Sequence, residues 1–549
     1  MTTGRFTCKR RKWTGAGAWN LYFLCALALH AFDCISINPW ANLLLLIWVT
    51  LPVSNAVLNA FRQLIALAAG ASLLWSESWL PSPGVLLENY GNLAHFTSAI
   101  LAEPAAALAN PVMVLAVLVI PGAWLALKDW IRFTTISVAG LLAAAFPGAV
   151  ATLFAPQASH ADAPQSVPAS VQACPAPASA FAPYPLQTAP AGEEHLTAWL
   201  RSFYESEAGR RTFFPAAASE SVRFDIAVLN ISSLSNDDLE ASGLNAHPVF
   251  SKFDVRFEAF NSAAAHAGPA ALRLLTGACG QPSHAALYSG RRPACEWMTA
   301  LEKAGWEGHL VMDHNGSSDR YLENLRLIGG VSAPLMEQKK LSTQYVSFDG
   351  TSVLRTADVF NAWMKMRDAA SAPTVTLMNL IALNDGNRLP GTTSPAAFKP
   401  RAGNLLDDLE AFIDRLDAQG KPLMLIVVPD HGAAVRGDKV QVARLREIPS
   451  PSITQVPVLV KFIGLENKGG PRSIAGPTSY LALTELMART IESGIYRSPA
   501  ADHRSDLDRI VRNLPLTWPV SENSNAVVMP YAGETRLKLD NNRWLKYRK

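Results

Sequence analysis

The chain has 549 residues, of which 49% are hydrophobic and 17% charged, a composition too long for one ordinary domain and too apolar for a disordered or nucleic-acid-coating protein. Of its 48 Lys+Arg and 45 Asp+Glu, residues 1–155 hold 8 and 5, so the net charge of +3 belongs to the N-terminal part. The 40 of each sign that remain form no basic face for a phosphate backbone, and nucleic acid is not an expected partner.

Five apolar stretches precede residue 155, at 17–36, 40–58, 59–80, 110–128 and 133–154, each close to the ~20 residues that cross a bilayer. The second and third run together around Pro52 to Arg62, which reads as a hairpin with a very short turn, a single re-entrant element being the alternative. Lys9, Arg10, Arg11 and Lys12 precede the first stretch and hold it on the cytoplasmic side. With five spans Arg62, Lys128 and Arg132 fall inside, and Glu77, Glu88 and Glu103 outside. An odd number of spans delivers residues 155–549 to the far side, the periplasm of a two-membrane bacterium. No isolated cleavage site follows the first stretch, which argues against a signal peptide. Trp13, Trp19, Trp40, Trp75, Trp79 and Trp130 lie near span ends and read as interfacial anchors, while Cys25 and Cys34 read as small packing residues.

Residues 155–192 carry 12 Ala and 8 Pro in 38 positions with almost no charge, the composition of an extended, semi-rigid tether. From residue 193 to 549 short apolar runs alternate with amphipathic stretches, which predicts an α/β domain with a mainly parallel sheet flanked by helices. The predicted strands are 225–231, 255–260, 309–312, 374–381, 423–428 and 458–463. Ligands of such sheets bind beyond the carboxyl ends of the strands, so the segments after each run are where a site is expected. Six cysteines are too few for a disulfide scaffold, although Cys279 and Cys295 lie close enough to bridge in an oxidising compartment.

Asp430 and His431 directly follow a buried strand, a pair able to ligate one divalent cation or, equally, to cap and pack locally. Asp385 and His314 follow two other strands and are candidates for further ligands or outer partners. Asn261 to Pro269 precedes a predicted helix at 270–276, and a helix start is a natural seat for a phosphoryl group. Yet that segment offers Ala265, His266, Ala267 and Gly268, with its nearest hydroxyl at Ser262, so the expected nucleophile is missing.

The strings Asn230-Ile231-Ser232-Ser233, Gly268-Pro269-Ala270-Ala271, Cys279-Gly280-Gln281-Pro282-Ser283-His284, Asp430-His431-Gly432, Ile448-Pro449-Ser450-Pro451-Ser452-Ile453-Thr454 and Val520-Ser521-Glu522-Asn523-Ser524-Asn525-Ala526-Val527-Val528 occur in order. With the five-span anchor and the tether, they resemble the cellulose phosphoethanolamine transferase family, BcsG, over nearly the whole chain. The resemblance implies an alkaline-phosphatase-like periplasmic domain anchored beside the membrane subunit of cellulose synthase. Active members use zinc and a serine to carry phosphoethanolamine from phosphatidylethanolamine to the glucosyl 6-hydroxyl of the emerging cellulose chain. It also implies a Cys279–Cys295 disulfide.

The chain departs from that family where the chemistry lies. Ser232 stands where the resemblance implies a zinc cysteine, Ala267 where it implies the nucleophilic serine, and Asp430 where it implies a zinc glutamate. The Leu-His-Asp-Gly-Asn-His string reads Leu383-Asn384-Asp385-Gly386-Asn387-Arg388, leaving His431 as the one unchanged ligand position. The expectation is a non-catalytic or weakly active member. The alternative is a rebuilt transferase with His266 or Ser262 attacking and Asp430, His431 and Asp385 holding a metal. A formylglycine sulfatase is disfavoured because no Cys or Ser lies in a C/S-x-P-x-R arrangement. A glucan-contact role would use exposed aromatics, for which Trp297, Trp306, Trp363, Trp518 and Trp544 are available, more of them expected in the core.

Overall fold

The computed structural model of the chain describes residues 15–31, 37–53, 55–77, 122, 124–127, 130–145, 191–215, 224–438, 440–539 and 543–547. These fall into two compact units, one holding the described residues up to position 145 and the other those from 191 on.

Among the described residues the first unit shows the apolar helices α1 (Trp19–Ala31), α2 (Pro39–Thr50), α3 (Ala56–Glu77) and α4 (Phe133–Ala145). Among the described residues α3 alone, with 22 residues, is long and apolar enough to cross a membrane. The expected span at 110–128 and the second half of that at 133–154 lie almost wholly outside the described residues. So does the tether up to position 190. The second and third stretches are two helices, not one re-entrant element. Pro52 follows the end of α2, and the indole of Trp48 donates back to the Arg62 carbonyl at 3.3 Å. Glu77 was expected in an outer loop, but it is the last residue of α3 and is buried, accepting from Asn38 N (2.8 Å) and Asn42 Nδ2 (2.6 Å) at the start of α2. A carboxylate at a helix start satisfies an otherwise orphan N–H.

The second unit begins with α5 (Glu193–Ala208) and is built on a seven-stranded sheet. In chain order its strands are β1 (Asp225–Ile231), β2 (Val255–Phe260), β3 (Glu307–Met312), β6 (Thr374–Leu380), β7 (Leu423–Val427), β8 (Val458–Ile463) and β9 (Arg472–Thr478), with the small hairpin β4 (Thr343–Val346) and β5 (Ser352–Leu354) apart from it. The spatial order is β3-β6-β1-β7-β8-β2-β9. Every pairing is parallel except the two made by β8. Two antiparallel steps cancel, so β2 points the same way as β1, β6, β7 and β3 and delivers its carboxyl end to the same edge.

The central strands are apolar on both sides because both faces are covered. On β1 Ile226 and Val228 enter one core, with α7 (Ala267–Leu275), α8 (Trp297–Lys303), α9 (Tyr321–Leu327), α12 (Tyr480–Ser493) and α13 (Arg504–Val511). Ala227, Leu229 and Ile231 enter the other, with α6 (Asn236–Ser242), α10 (Thr356–Ala369) and α11 (Phe398–Gln419). The buried Asp225 at the head of β1 is held by Arg367 Nε at 2.6 Å and by Thr374 N at 2.7 Å.

A second sheet of β10 (Ser521–Glu522), β11 (Ala526–Tyr531), β12 (Glu534–Leu539) and β13 (Trp544–Lys546) closes the unit. Trp199, Leu200 and Phe203 of α5 pack on its Val527, Met529, Tyr531 and Trp544. Of the tryptophans considered for sugar contact, Trp297, Trp306, Trp363 and Trp544 are buried, and Trp518 packs into the cluster of Trp199. Their large apolar area is used by the core instead. Cys279 and Cys295 form a disulfide.

Candidate active site

The carboxyl ends of β1, β6, β7 and β2 bring Ser232, Asn384, Asp430 and the Ser262–Ala267 segment to one edge, as their shared direction requires. The Ser232 hydroxyl donates to Asp430 Oδ2 at 2.9 Å and Ser233 N donates to Oδ1 at 3.2 Å, so both oxygens of the fully buried carboxyl are engaged. Ser233 takes φ +68° to present that N–H, and its own hydroxyl donates to Asn384 Oδ1 at 3.1 Å. Asp430 and His431 are locked between strands, with Asp430 N donating to Ile231 O and Leu234 N to His431 O at 2.7 Å.

His431 Nδ1 lies 2.8 Å from Gly432 O, to which it donates, leaving Nε2 as the nitrogen with a lone pair, 3.5 Å from Asp430 Oδ1. Burial pushes Asp430 up to about 7, against the hydrogen bonds from Ser232 and Ser233 and the charge of Arg446. Burial, helped by Arg446, pushes His431 down to about 3, so its ring is neutral. Arg446 is the cation that acts on both Asp430 and His431, and the residue that sequence reasoning missed. Nη1 of Arg446 meets Asp385 Oδ2 at 2.5 Å, which explains how Asp385 enters the site: as the partner of a guanidinium, not as a free ligand. The only available signal was its place two residues before the Ile448–Thr454 string.

The helix expected at 270–276 begins three residues earlier, because His266 has the extended backbone of an N-cap and Ala267 is the first residue of α7. Ala267, at that helix start, carries a methyl group, which packs partly buried against the core. Ser262 is fully buried with its hydroxyl donating to Ala264 O at 3.2 Å, turned into its own loop. The His266 ring is crowded by protein, although the residue keeps some contact with solvent. Burial, then the charges of Arg446, His431 and His284, push it down to about 3. His314 has both ring nitrogens committed, to Asn379 Oδ1 at 2.8 Å and to Gly316 N at 3.1 Å. It heads a chain through Asn379 and Asn230 to Val428 O that ties β3, β6, β1 and the end of β7 together beneath the site.

Zinc does not fit this donor set. Ser232 is a neutral hydroxyl spent on Asp430, Asn384 is a neutral amide, and a guanidinium acts on the same space. Among the described residues no three His, Cys, Asp or Glu side chains come together as a metal would need.

Two family descriptions match the chain, "Cellulose biosynthesis protein BcsG N-terminal domain" over residues 19–146 and "Cellulose biosynthesis protein BcsG C-terminal domain" over 181–544. A protein of Salmonella typhimurium described as "Cellulose biosynthesis protein BcsG" is 38% identical over 545 residues, covering 97% of each chain. One of Escherichia coli K12 with the same description is 37% identical over 548 residues, also covering 97% of each. Solved structures with lower likeness include an alkaline phosphatase superfamily protein from Vibrio parahaemolyticus, with TM-score 0.44 and 14% identity over 61% of this chain and 81% of that one. The C-terminal periplasmic domain of EptC from Escherichia coli gives TM-score 0.37 and 13% identity over 58% and 96%.

Proposed function

The chain belongs to the BcsG family of cellulose biosynthesis proteins, and from that premise we propose that it is a membrane-anchored component of cellulose secretion whose phosphoethanolamine-transferase-like domain does not turn over. In this reading residues 1–154 anchor it in the bacterial inner membrane, 155–192 tether it, and 193–549 work in the periplasm against the cellulose synthase membrane subunit and the cellulose chain. Phosphatidylethanolamine is then at most a bound lipid and not a consumed donor.

The observation that carries the reading is Ala267 at the first turn of α7. Phosphoryl transfer through a covalent intermediate needs a side-chain lone pair to attack phosphorus as the leaving alkoxide departs, and a methyl group has none. Of the two substitutes, Ser262 spends its hydroxyl on a backbone carbonyl. His266 makes no side-chain bond to the helix start and burial holds its ring neutral, so it is the nucleophile that the rebuilt-transferase alternative would need. The donor set also lacks the thiolate and the further imidazoles that would hold zinc and lower a nucleophile's pKa.

The test is elemental analysis of the purified full-length protein together with hydrolysis of a phosphoethanolamine-bearing chromogenic ester. The expected result is zinc far below one per chain and no turnover. One zinc per chain with turnover abolished by His431→Ala would overturn the reading in favour of a rebuilt transferase.

A further inference from the structure

We propose that the small cavity beside α7, in which the guanidinium of Arg273 is buried, holds one monatomic anion, chloride. The cavity is lined by Arg273, Thr276, Gln281 and Tyr480 among others, and shares no residue with the Ser232–Asp430–His431 cluster. The inference therefore stands whether or not the domain is a working transferase.

Arg273 lies in the last turn of α7 and is 2% exposed. Its Nε reaches Ala263 O only at 3.4 Å, and both Nη atoms are buried with no acceptor. Among the described residues no carboxylate stands within ion-pair distance of it. The acidic groups of the neighbouring elements are committed elsewhere, Glu207 to Arg210 at 2.5 Å and Glu522 to the Tyr204 hydroxyl at 2.6 Å. A guanidinium keeps its charge even when buried, so it cannot escape the cost of leaving water by shedding a proton. A buried charge with both arms of its fork unmatched is among the costliest features a folded chain can carry, and an anion between those arms removes the cost.

Size and charge choose the ligand. The cavity measures about 10 Å³, roughly the space of one water-sized particle, so phosphate, sulfate and organic acids are too large for it. Positive potential converges there. Arg292 donates through Nη2 to Thr276 Oγ1 at 3.2 Å, and Thr276 is part of the wall. Burial first, and the charge of Arg273 second, pull Arg292 below the ordinary guanidinium value. The same two causes push His284 down to about 4, so its ring stays neutral and needs no counter-ion. Water is the competing occupant, because Gln281, fixed through Nε2 to Val520 O at 2.8 Å, leaves Oε1 unpaired and able to accept from it. A water molecule brings a dipole, however, and the paired cations call for a charge.

The test is chloride NMR line broadening on the purified full-length protein in lipid nanodiscs, paired with thermal melts in which chloride replaces gluconate at constant ionic strength. Gluconate is too large to enter. The expected result is excess broadening that bromide displaces, together with a melting temperature that rises with chloride and levels off as the site fills. Arg273→Gln, which keeps the polar stem but loses the charge, should abolish both responses. If that variant fails to fold, Gln281→Glu supplies an independent arm. Its carboxylate takes the place of the anion in the wall, and the melt of this variant should no longer respond to chloride. A parent melt indifferent to chloride, with or without broadening, means that water fills the cavity and overturns the proposal. A chloride response that survives in either variant overturns it as well, because the anion then sits elsewhere.

Discussion

At Asp430 two demands meet: a buried carboxyl disfavours its charge, and two donors favour it. Burial dominates, so in the folded chain the group holds its proton to about 7, whereas an unfolded carboxyl releases it near 4. Between those values the unfolded state binds fewer protons, and stability is lost as pH rises. Asp430→Asn removes that loss. Thermal melts should show the variant gaining over the parent as pH rises from about 4 to about 7 and then holding a constant lead. A flat difference would mean that Asp430 is ionised throughout, as a metal ligand would be. His431 acts in the opposite sense, its lowered pKa costing stability as pH falls below the ordinary imidazole range. The Asp430–His431 pair was legible as chemistry because it directly follows an apolar run. Arg446 was not, because nothing local in a loop sequence says which strand end its side chain will reach.

Among the elements, α7 matters most, since it carries Ala267 at its start and leads directly to the bridge from Cys279 to Cys295. With its ends 16 positions apart in the sequence, that bridge limits the unfolded chain by about 3 kcal/mol, and Cys295 is buried besides. Cys279→Ser should therefore lower the denaturant midpoint by an amount equivalent to about 3 kcal/mol, with the parent under reducing conditions losing as much. A shift near zero would mean the loop is already held by Trp297, whose indole donates to Leu274 O at 2.8 Å. Six strands of the main sheet matched their expected positions to within two residues, because β1, β6, β7 and β8 are apolar runs buried on both faces and β2 and β3 carry buried apolar residues at their carboxyl ends. β9 was missed. Its Arg472-Ser473-Ile474-Ala475-Gly476-Pro477-Thr478 sequence is half exposed at the sheet edge, where Gly and Pro are tolerated. The second sheet was missed for a related reason, since β12 is mostly polar and gains its place by pairing with β11 and β13.

For the whole molecule, the proposal that residues 193–549 face the periplasm has a direct check. A cysteine introduced at the exposed Ala501 should react with a membrane-impermeant maleimide in cells whose outer membrane alone has been opened. Labelling only after the inner membrane is broken would reverse the proposed topology. By itself the sequence determined the family, the apolar N-terminal part, the α/β class and most of the main sheet. Those properties reside in single residues and local periodicity. Only the tertiary structure decided that β8 runs against its neighbours, that the tryptophans belong to the core, and that Arg446 pairs with Asp385 beside His431. Only it brought Asn236 and Tyr547, more than 300 residues apart, to line one cleft. These depend on which distant segments are pressed together, and packing settles that after local patterning has done its part.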